Sequence, residues 1–128
     1  MAPLNATLEY TKNAVMTASK AKLIVLMYEG AVRFVEQARF HLKRGNIAGC
    51  GTAISNAYNV VSELKVSLDP EAGGEVGKQL SIDLERLYDF VLEQLVEANM
   101  ERSEQNLEDV LEVLGTLKSA WEDIVHQA

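Results

Sequence analysis

Few residues of this chain have the types and spacing that catalysis or metal binding would need. The two histidines, His41 and His126, and the single cysteine, Cys50, give no pattern from which a Ser-His or Cys-His triad could be proposed. Asp123 and His126 have the helical offset found in di-metal bundles, but those sites need several carboxylates turned inward, and the acidic residues here fall on outward faces. A lone cysteine on an apolar helix side is predicted to be a small buried side chain. The sequence therefore predicts no catalytic, cofactor or metal site.

One short motif could be read as phosphotransfer chemistry. The run from His41 to Gly45, His-Leu-Lys-Arg-Gly, is similar to the His-x-Leu-Lys-Gly motif of histidine phosphotransfer domains, although its spacing differs by one residue. A phosphorylated imidazole must stand exposed in the middle of a helix beside a lysine, whereas His41 is predicted in a last helical turn. Phosphotransfer through His41 stays an alternative function, and a histidine near a helix C-terminus is the simpler interpretation.

Length and hydrophobic spacing predict an all-α fold, an antiparallel up-and-down four-helix bundle. The chain has 128 residues, 48% of them hydrophobic and 24% charged, which suits one globular domain over residues 1–128. Gly45 is a predicted helix end, and Asn46 and Ser103 are predicted N-caps. A weakly patterned N-terminal arm, residues 1–18, precedes predicted helices at about residues 19–44, 46–68, 75–101 and 103–126.

Each predicted helix has a stripe of apolar residues that would face the core. On the fourth helix the acidic residues are confined to the side away from the stripe, so no apolar residue is predicted to remain exposed there. The stripes comprise Leu23, Ile24, Met27, Tyr28, Ala31, Phe34, Val35, Ala38 and Leu42; then Ile47, Cys50, Ala53, Ile54, Ala57, Val61, Leu64 and Leu68; then Val76, Leu80, Leu84, Leu87, Tyr88, Val91, Leu95 and Ala98; and finally Leu107, Val110, Leu111, Leu114, Leu117, Trp121, Ile124 and Val125.

Other apolar residues lie beyond these stripes and need a cover or a partner. Single exposed apolar side chains are common on proteins, but several on two helices indicate partner binding or self-association. These residues are Val25, Leu26, Val32 and Phe40 on the first helix and Ile82, Phe90 and Met100 on the third.

Charge and hydropathy exclude two classes of partner. The net charge is −7, with a basic first helix and an acidic C-terminal half, so the chain lacks the broad basic surface that nucleic acid requires. The apolar run from Leu23 to Met27 is far shorter than a membrane span, and no cationic segment precedes an apolar one at the N-terminus. We therefore expect a cytoplasmic protein that does not insert into membranes.

Residues along nearly the whole chain resemble the flagellar secretion chaperone family FliS. The matching residues occur in the family's order from the N-terminal arm to the last helix. They are Tyr10, Thr17-Ala-Ser19, Leu23-Ile-Val-Leu-Met-Tyr28, Glu29-Gly-Ala31, Asn56, Glu63-Leu64, Ser67-Leu68-Asp69, Gly73-Gly74, Leu87-Tyr88-Asp-Phe90, Leu95, Glu97-Ala-Asn99 and Ala120-Trp121.

The resemblance implies a helical-bundle chaperone that is not an enzyme and uses no cofactor. It implies that the chain binds the C-terminal segment of flagellin one-to-one, prevents premature polymerisation and helps to hand flagellin to the type III export gate. A self-associating bundle, homodimeric when free of client, is the competing interpretation. The predicted arm would be a cover anchored by Tyr10, and the predicted flagellin-binding groove comprises Val25, Leu26, Tyr28, Val32, Phe40, Asn56, Val60, Ile82 and Phe90.

Overall fold

The computed structural model describes residues 20–127 of the chain, and within them all regular structure is helical. The predicted arm, including Tyr10, lies outside the described residues. The helices are α1 (Lys20–Lys43), α2 (Ile47–Val66), α3 (Gly74–Glu101) and α4 (Glu104–Gln127). The predicted all-α four-helix bundle is confirmed for this part of the chain.

Local signals at the helix ends act as the sequence predicts. Gly45 adopts a left-handed φ of +74°, which lets the chain leave α1 without a Cβ penalty. The side chain of Asn46 accepts a hydrogen bond of 2.9 Å from the Gly49 amide, and Ser103 Oγ accepts one of 3.2 Å from the Asn106 amide. Both side chains satisfy amides that would otherwise lack a partner in the first turn.

The four helices form a ring in which each helix packs against two others. Helix α1 contacts α2 and α4, and α3 contacts the same two helices, so α1 and α3 stand diagonally across the bundle. Cys50 lies within this core, as predicted, and burial raises the pKa of its thiol. The fully buried large side chains include Tyr28, Val35, Val61, Leu64, Tyr88, Val91, Leu95, Leu107, Val110 and Leu114.

The core prediction is wrong for three residues in the first half of α3, because Val76, Leu80 and Leu87 are exposed. Helix α3 has 28 residues and α2 only 20, and the contact between Lys65 and Asp89 places the end of α2 level with the middle of α3. The first half of α3 therefore runs beyond α2. Helical periodicity predicts which side of α3 faces inward, but it does not predict how far the neighbouring helix α2 extends.

Two further stripe residues are exposed at the ends of their helices. Ile47 is the first residue of α2, and Ile124 lies in the last turns of α4. The prediction that α4 leaves no apolar residue spare is therefore wrong. A terminal turn has neighbours on fewer sides than a central turn, so its inward-facing residues remain partly in water.

Candidate functional site

The first apolar depression lies between α1 and α2. We call it the α1–α2 groove, and its volume is about 320 Å³. Leu26, which is 50% exposed, forms one side of it, and Val60 forms the other. Its lining is completed by Met27, Gly30, Asn59 and Glu63. The structure thus brings together Leu26 and Val60, two residues of the predicted groove that are far apart in sequence.

A larger depression lies between α2 and α3, and we call it the α2–α3 groove. Its main part has a volume of about 570 Å³, and an adjoining part has about 240 Å³. Tyr58, Val96 and Met100 line both parts, which makes them one groove. Leu92 extends the apolar floor, and Ile54, Ser55, Asn59 and Asn99 line the adjoining part.

The two grooves meet on the outer face of α2. Asn59 lines both of them, so a chain lying in the α1–α2 groove could continue over Asn59 into the α2–α3 groove. We call this continuous surface the client path. Its apolar residues come from α1, α2 and α3, and its polar residues include side-chain amides that can donate and accept hydrogen bonds. This arrangement suits an extended segment better than a compact ligand.

A third, smaller depression of about 180 Å³ lies between α1 and α4. Leu26 and Val125 line it, and so does Val25, which is only 8% exposed. Lys22, Glu29, Glu122 and His126 complete its lining. Leu26 therefore stands between two depressions, one on each side of α1.

Ion pairs tie the helices together beside these surfaces. Arg39 contacts Glu104 at 3.2 Å and Glu108 at 3.3 Å, and Lys43 contacts Glu104 at 3.2 Å, which joins α1 to α4. The hydrogen bond from Lys43, with a further one from Arg39, lowers the pKa of Glu104.

Lys65 of α2 donates a hydrogen bond of 2.6 Å to Asp89 of α3 at the edge of the α2–α3 groove. That bond raises the pKa of Lys65 above its ordinary value. Because the pair lies at the surface, its contribution to stability is small, and its main effect is to fix the two helices at this edge.

One residue of the predicted groove proves to be a core residue. Tyr28 is completely buried, and its hydroxyl oxygen lies 2.5 Å from that of Tyr88 on α3. It has no surface to offer a partner in this conformation. The prediction for Val25 is also corrected in part, because this residue is nearly buried rather than lying on an exposed flank.

The other predicted residues are distributed over several surfaces. Phe40 is half exposed near the end of α1, where its ring meets His41 edge-on at 5.6 Å and Arg44 lies 4.5 Å above it. Ile82 and Phe90 are exposed on α3, but neither lines the grooves described above. Val32 and Asn56 are partly buried within α1 and α2.

Sequence reasoning missed Tyr58 and Val96, which form much of the α2–α3 groove. A signal for them existed: Leu92, Val96 and Met100 follow each other at four-residue spacing beside the core stripe of α3. Such a second ridge on one helix indicates a second contact surface. Tyr58 follows Ile54 at the same spacing on α2.

The structure gives no sign of catalytic or metal-binding roles for the remaining candidate residues that it describes. His41 is partly buried in the last turn of α1, where its Nδ1 atom lies 3.3 Å from Asn46 Nδ2. Among residues 20–127 no group of three His, Cys, Asp or Glu side chains is arranged to hold a metal ion. Within the same range, no helix is both long and apolar enough to cross a bilayer.

Comparisons with known proteins agree with the resemblance seen in the sequence. A family model described as "Flagellar protein FliS" matches residues 3–128. The flagellar secretion chaperone FliS of Salmonella typhimurium is 36% identical over 118 residues, which cover 91% of this chain and 84% of the relative. That of Vibrio cholerae is 33% identical, covering 84% and 76%, and FliSB of Pseudomonas aeruginosa is 35% identical, covering 88% and 86%.

A solved structure supports the fold independently. The crystal structure of a bacterial flagellar chaperone superposes with a TM-score of 0.78 at 19% identity, covering 97% of this chain and 98% of the other. The curated relatives are named as secretion chaperones, and the family is one of chaperones rather than enzymes. The family match over nearly the whole sequence, together with relatives more than 30% identical, means that this chain is a member of the FliS family of flagellar secretion chaperones.

Proposed function

We propose that this protein binds the C-terminal helical region of flagellin in the cytoplasm, one-to-one, and presents it to the flagellar type III export apparatus. While bound, the chaperone would cover the apolar stripe through which flagellin subunits otherwise contact one another. This masking prevents polymerisation before export. Release at the export gate would then return the segment to the secreted subunit.

The client path is the observation that carries this proposal. An amphipathic segment that is disordered alone must bury a large apolar area to offset the entropy that it loses on binding, typically about 1,000 to 3,000 Å². A single pocket cannot provide such an area. The α1–α2 and α2–α3 grooves, joined at Asn59, offer a long apolar surface instead.

Light scattering after size-exclusion chromatography tests the proposal directly. The full chain is mixed with a peptide of the flagellin C-terminal region, and a one-to-one complex is expected. Leu26→Asp places a charge on the client path at a half-exposed position, so it should weaken binding without unfolding the bundle. Val76→Asp is the matched control, because Val76 is 82% exposed at the start of α3 and lies off the path. Absence of a complex, or equal weakening by both substitutions, would contradict the proposal.

Self-association of the client-free chain is a second candidate. Apolar side chains remain exposed away from the client path, among them Val76, Leu80 and Leu87 on α3 and Ile124 on α4. Where such side chains form a contiguous patch, they commonly mark an interface. The same chromatography separates the two candidates, because a chaperone should become a heterodimer with the peptide, whereas a self-associating module should keep its own oligomeric state.

A further inference from the structure

Two ridges run side by side along the C-terminal half of α3, one apolar and one acidic. Leu92, Val96 and Met100 form the apolar ridge, and Asp89, Glu93, Glu97 and Glu101 form the acidic ridge. All seven side chains line the main part of the α2–α3 groove, and Val96 and Met100 also line its adjoining part. Residues four apart on a helix form continuous ridges, and a second helix packs by laying its own ridge alongside.

Most of the acidic ridge is not neutralised. Asp89 is held by Lys65, but Glu93, Glu97 and Glu101 form no ion pair with any residue between 20 and 127. The α2 side of the groove is formed by Ser55, Tyr58 and Asn59, which are uncharged, and by Lys65, whose charge is matched by Asp89. The groove therefore has an apolar floor, one neutral wall and one strongly negative wall.

We propose that the α2–α3 groove binds an amphipathic helix of the client that carries Lys or Arg at four-residue spacing along one flank. Its apolar face would cover Val96 and Met100, and its basic flank would face Glu93, Glu97 and Glu101. This inference rests on the proposed function for the source of the helix, and it adds a charge requirement. The acidic wall disfavours a helix with an acidic flank and fixes the direction in which a basic one lies.

Charge argues against a second copy of this chain as the occupant. The same groove on another molecule would bring two acidic walls together. The basic helix α1 is a poor substitute, because two of its basic side chains, Arg39 and Lys43, are already engaged by Glu104 and Glu108 and would have to break these ion pairs. A basic helix from a different protein satisfies the groove without breaking these contacts.

Two designed peptides test the charge requirement on the full chain. Both have about 18 residues, enough to span the groove, and share the same leucine face. One carries Lys along its flank at four-residue spacing, and the other carries Glu there. The Lys peptide should bind at least about tenfold more tightly at low ionic strength, and added salt should reduce this preference. Equal binding of the two peptides would overturn the proposal.

Matched substitutions test whether the Lys peptide binds in the α2–α3 groove. Glu97→Lys should reduce binding of the Lys peptide by about tenfold, whereas Glu112→Lys, the same charge change on an exposed position of α4, should change it by less than about twofold. Equal losses would show a nonspecific effect of net charge and overturn the assignment to this groove. Loss of Lys-peptide binding by Met100→Asp, at a position 74% exposed and therefore tolerant of substitution, would support it.

The flagellin peptide separates this inference from the proposed function. If the flagellin peptide binds the parent chain and loses affinity with Glu97→Lys but not with Glu112→Lys, the proposed function and the charge requirement both hold. If it binds but neither substitution nor salt changes its affinity, the charge requirement is overturned while the proposed function stands. If it does not bind although the Lys peptide does, flagellin is overturned as the source of the helix, and the groove's preference for a basic helix is supported.

Discussion

The hydroxyl oxygens of Tyr28 and Tyr88 lie 2.5 Å apart at the centre of the bundle. Their rings are tilted by 44° with centroids 6.4 Å apart, and both side chains are buried. This hydrogen bond joins α1 to α3 across the diagonal of the ring. A buried polar pair of this kind fixes which residues face each other along otherwise apolar helices.

Removing one hydroxyl of this pair should lower the free energy of unfolding by more than half of what removing both hydroxyls does. We expect Tyr28→Phe to lower the free energy of unfolding by about 1 to 2 kcal/mol, because it leaves the buried Tyr88 hydroxyl without its partner. Adding Tyr88→Phe should cost less than the sum of the two single changes, with a coupling of about 1 kcal/mol. Urea denaturation of the parent, the two single variants and the double variant measures this coupling. Strict additivity would mean that the hydrogen bond contributes no net stability.

The same pair predicts loss of stability in alkaline solution. Burial raises the pKa of both phenols above the ordinary value, and the hydrogen bond with Tyr88 raises that of Tyr28 further. Stability from this source is complete below the unfolded pKa of about 10 and falls as pH rises above it, because only the unfolded chain then releases these protons. Replacing both tyrosines by Phe should flatten this fall, measured as the melting temperature against pH. Tyr58→Phe is the control at an exposed position and should leave the slope unchanged.

Much of the fold could be predicted because its signals are local. A glycine after Arg44, a capping Asn46 and a capping Ser103 determine where helices end and begin, whatever packs against them. The exposure of Val76 and Leu80 could not be predicted in the same way. It depends on where α2 stops relative to α3, and helical periodicity contains no information about that register.

The candidate site was predictable only in part, since it is built from residues on different helices. Leu26 was correctly identified as a spare apolar residue, but its position opposite Val60 requires knowledge of how α1 packs on α2. Tyr28 shows the opposite case. The helical stripe predicts Tyr28 in the core, where the structure places it, so it offers no surface to the predicted groove.

Trp121 is expected to act through stability rather than through client binding. Its indole is partly buried and packs against the core from α4. Truncating a large buried aromatic side chain costs about 3 to 5 kcal/mol, and partial exposure places Trp121→Ala near the lower end, at about 3 kcal/mol. The variant should therefore melt at a lower temperature and bind flagellin peptide normally at a temperature where it remains folded. An unchanged melting temperature would instead identify Trp121 as a surface residue available to a partner.

Charge reversal on α4 should leave client binding nearly unchanged, because the client path runs over α1, α2 and α3. We expect Glu108→Lys combined with Glu112→Lys to change the affinity for a flagellin peptide by less than tenfold, which corresponds to about 1.4 kcal/mol. Glu108 lies 3.3 Å from Arg39, so the double variant also loses an exposed ion pair, and its melting temperature should be measured alongside. Glu112→Lys alone avoids that loss. A tenfold weakening by Glu112→Lys, in a protein that melts like the parent, would place part of the client on α4 and require the path to be redrawn.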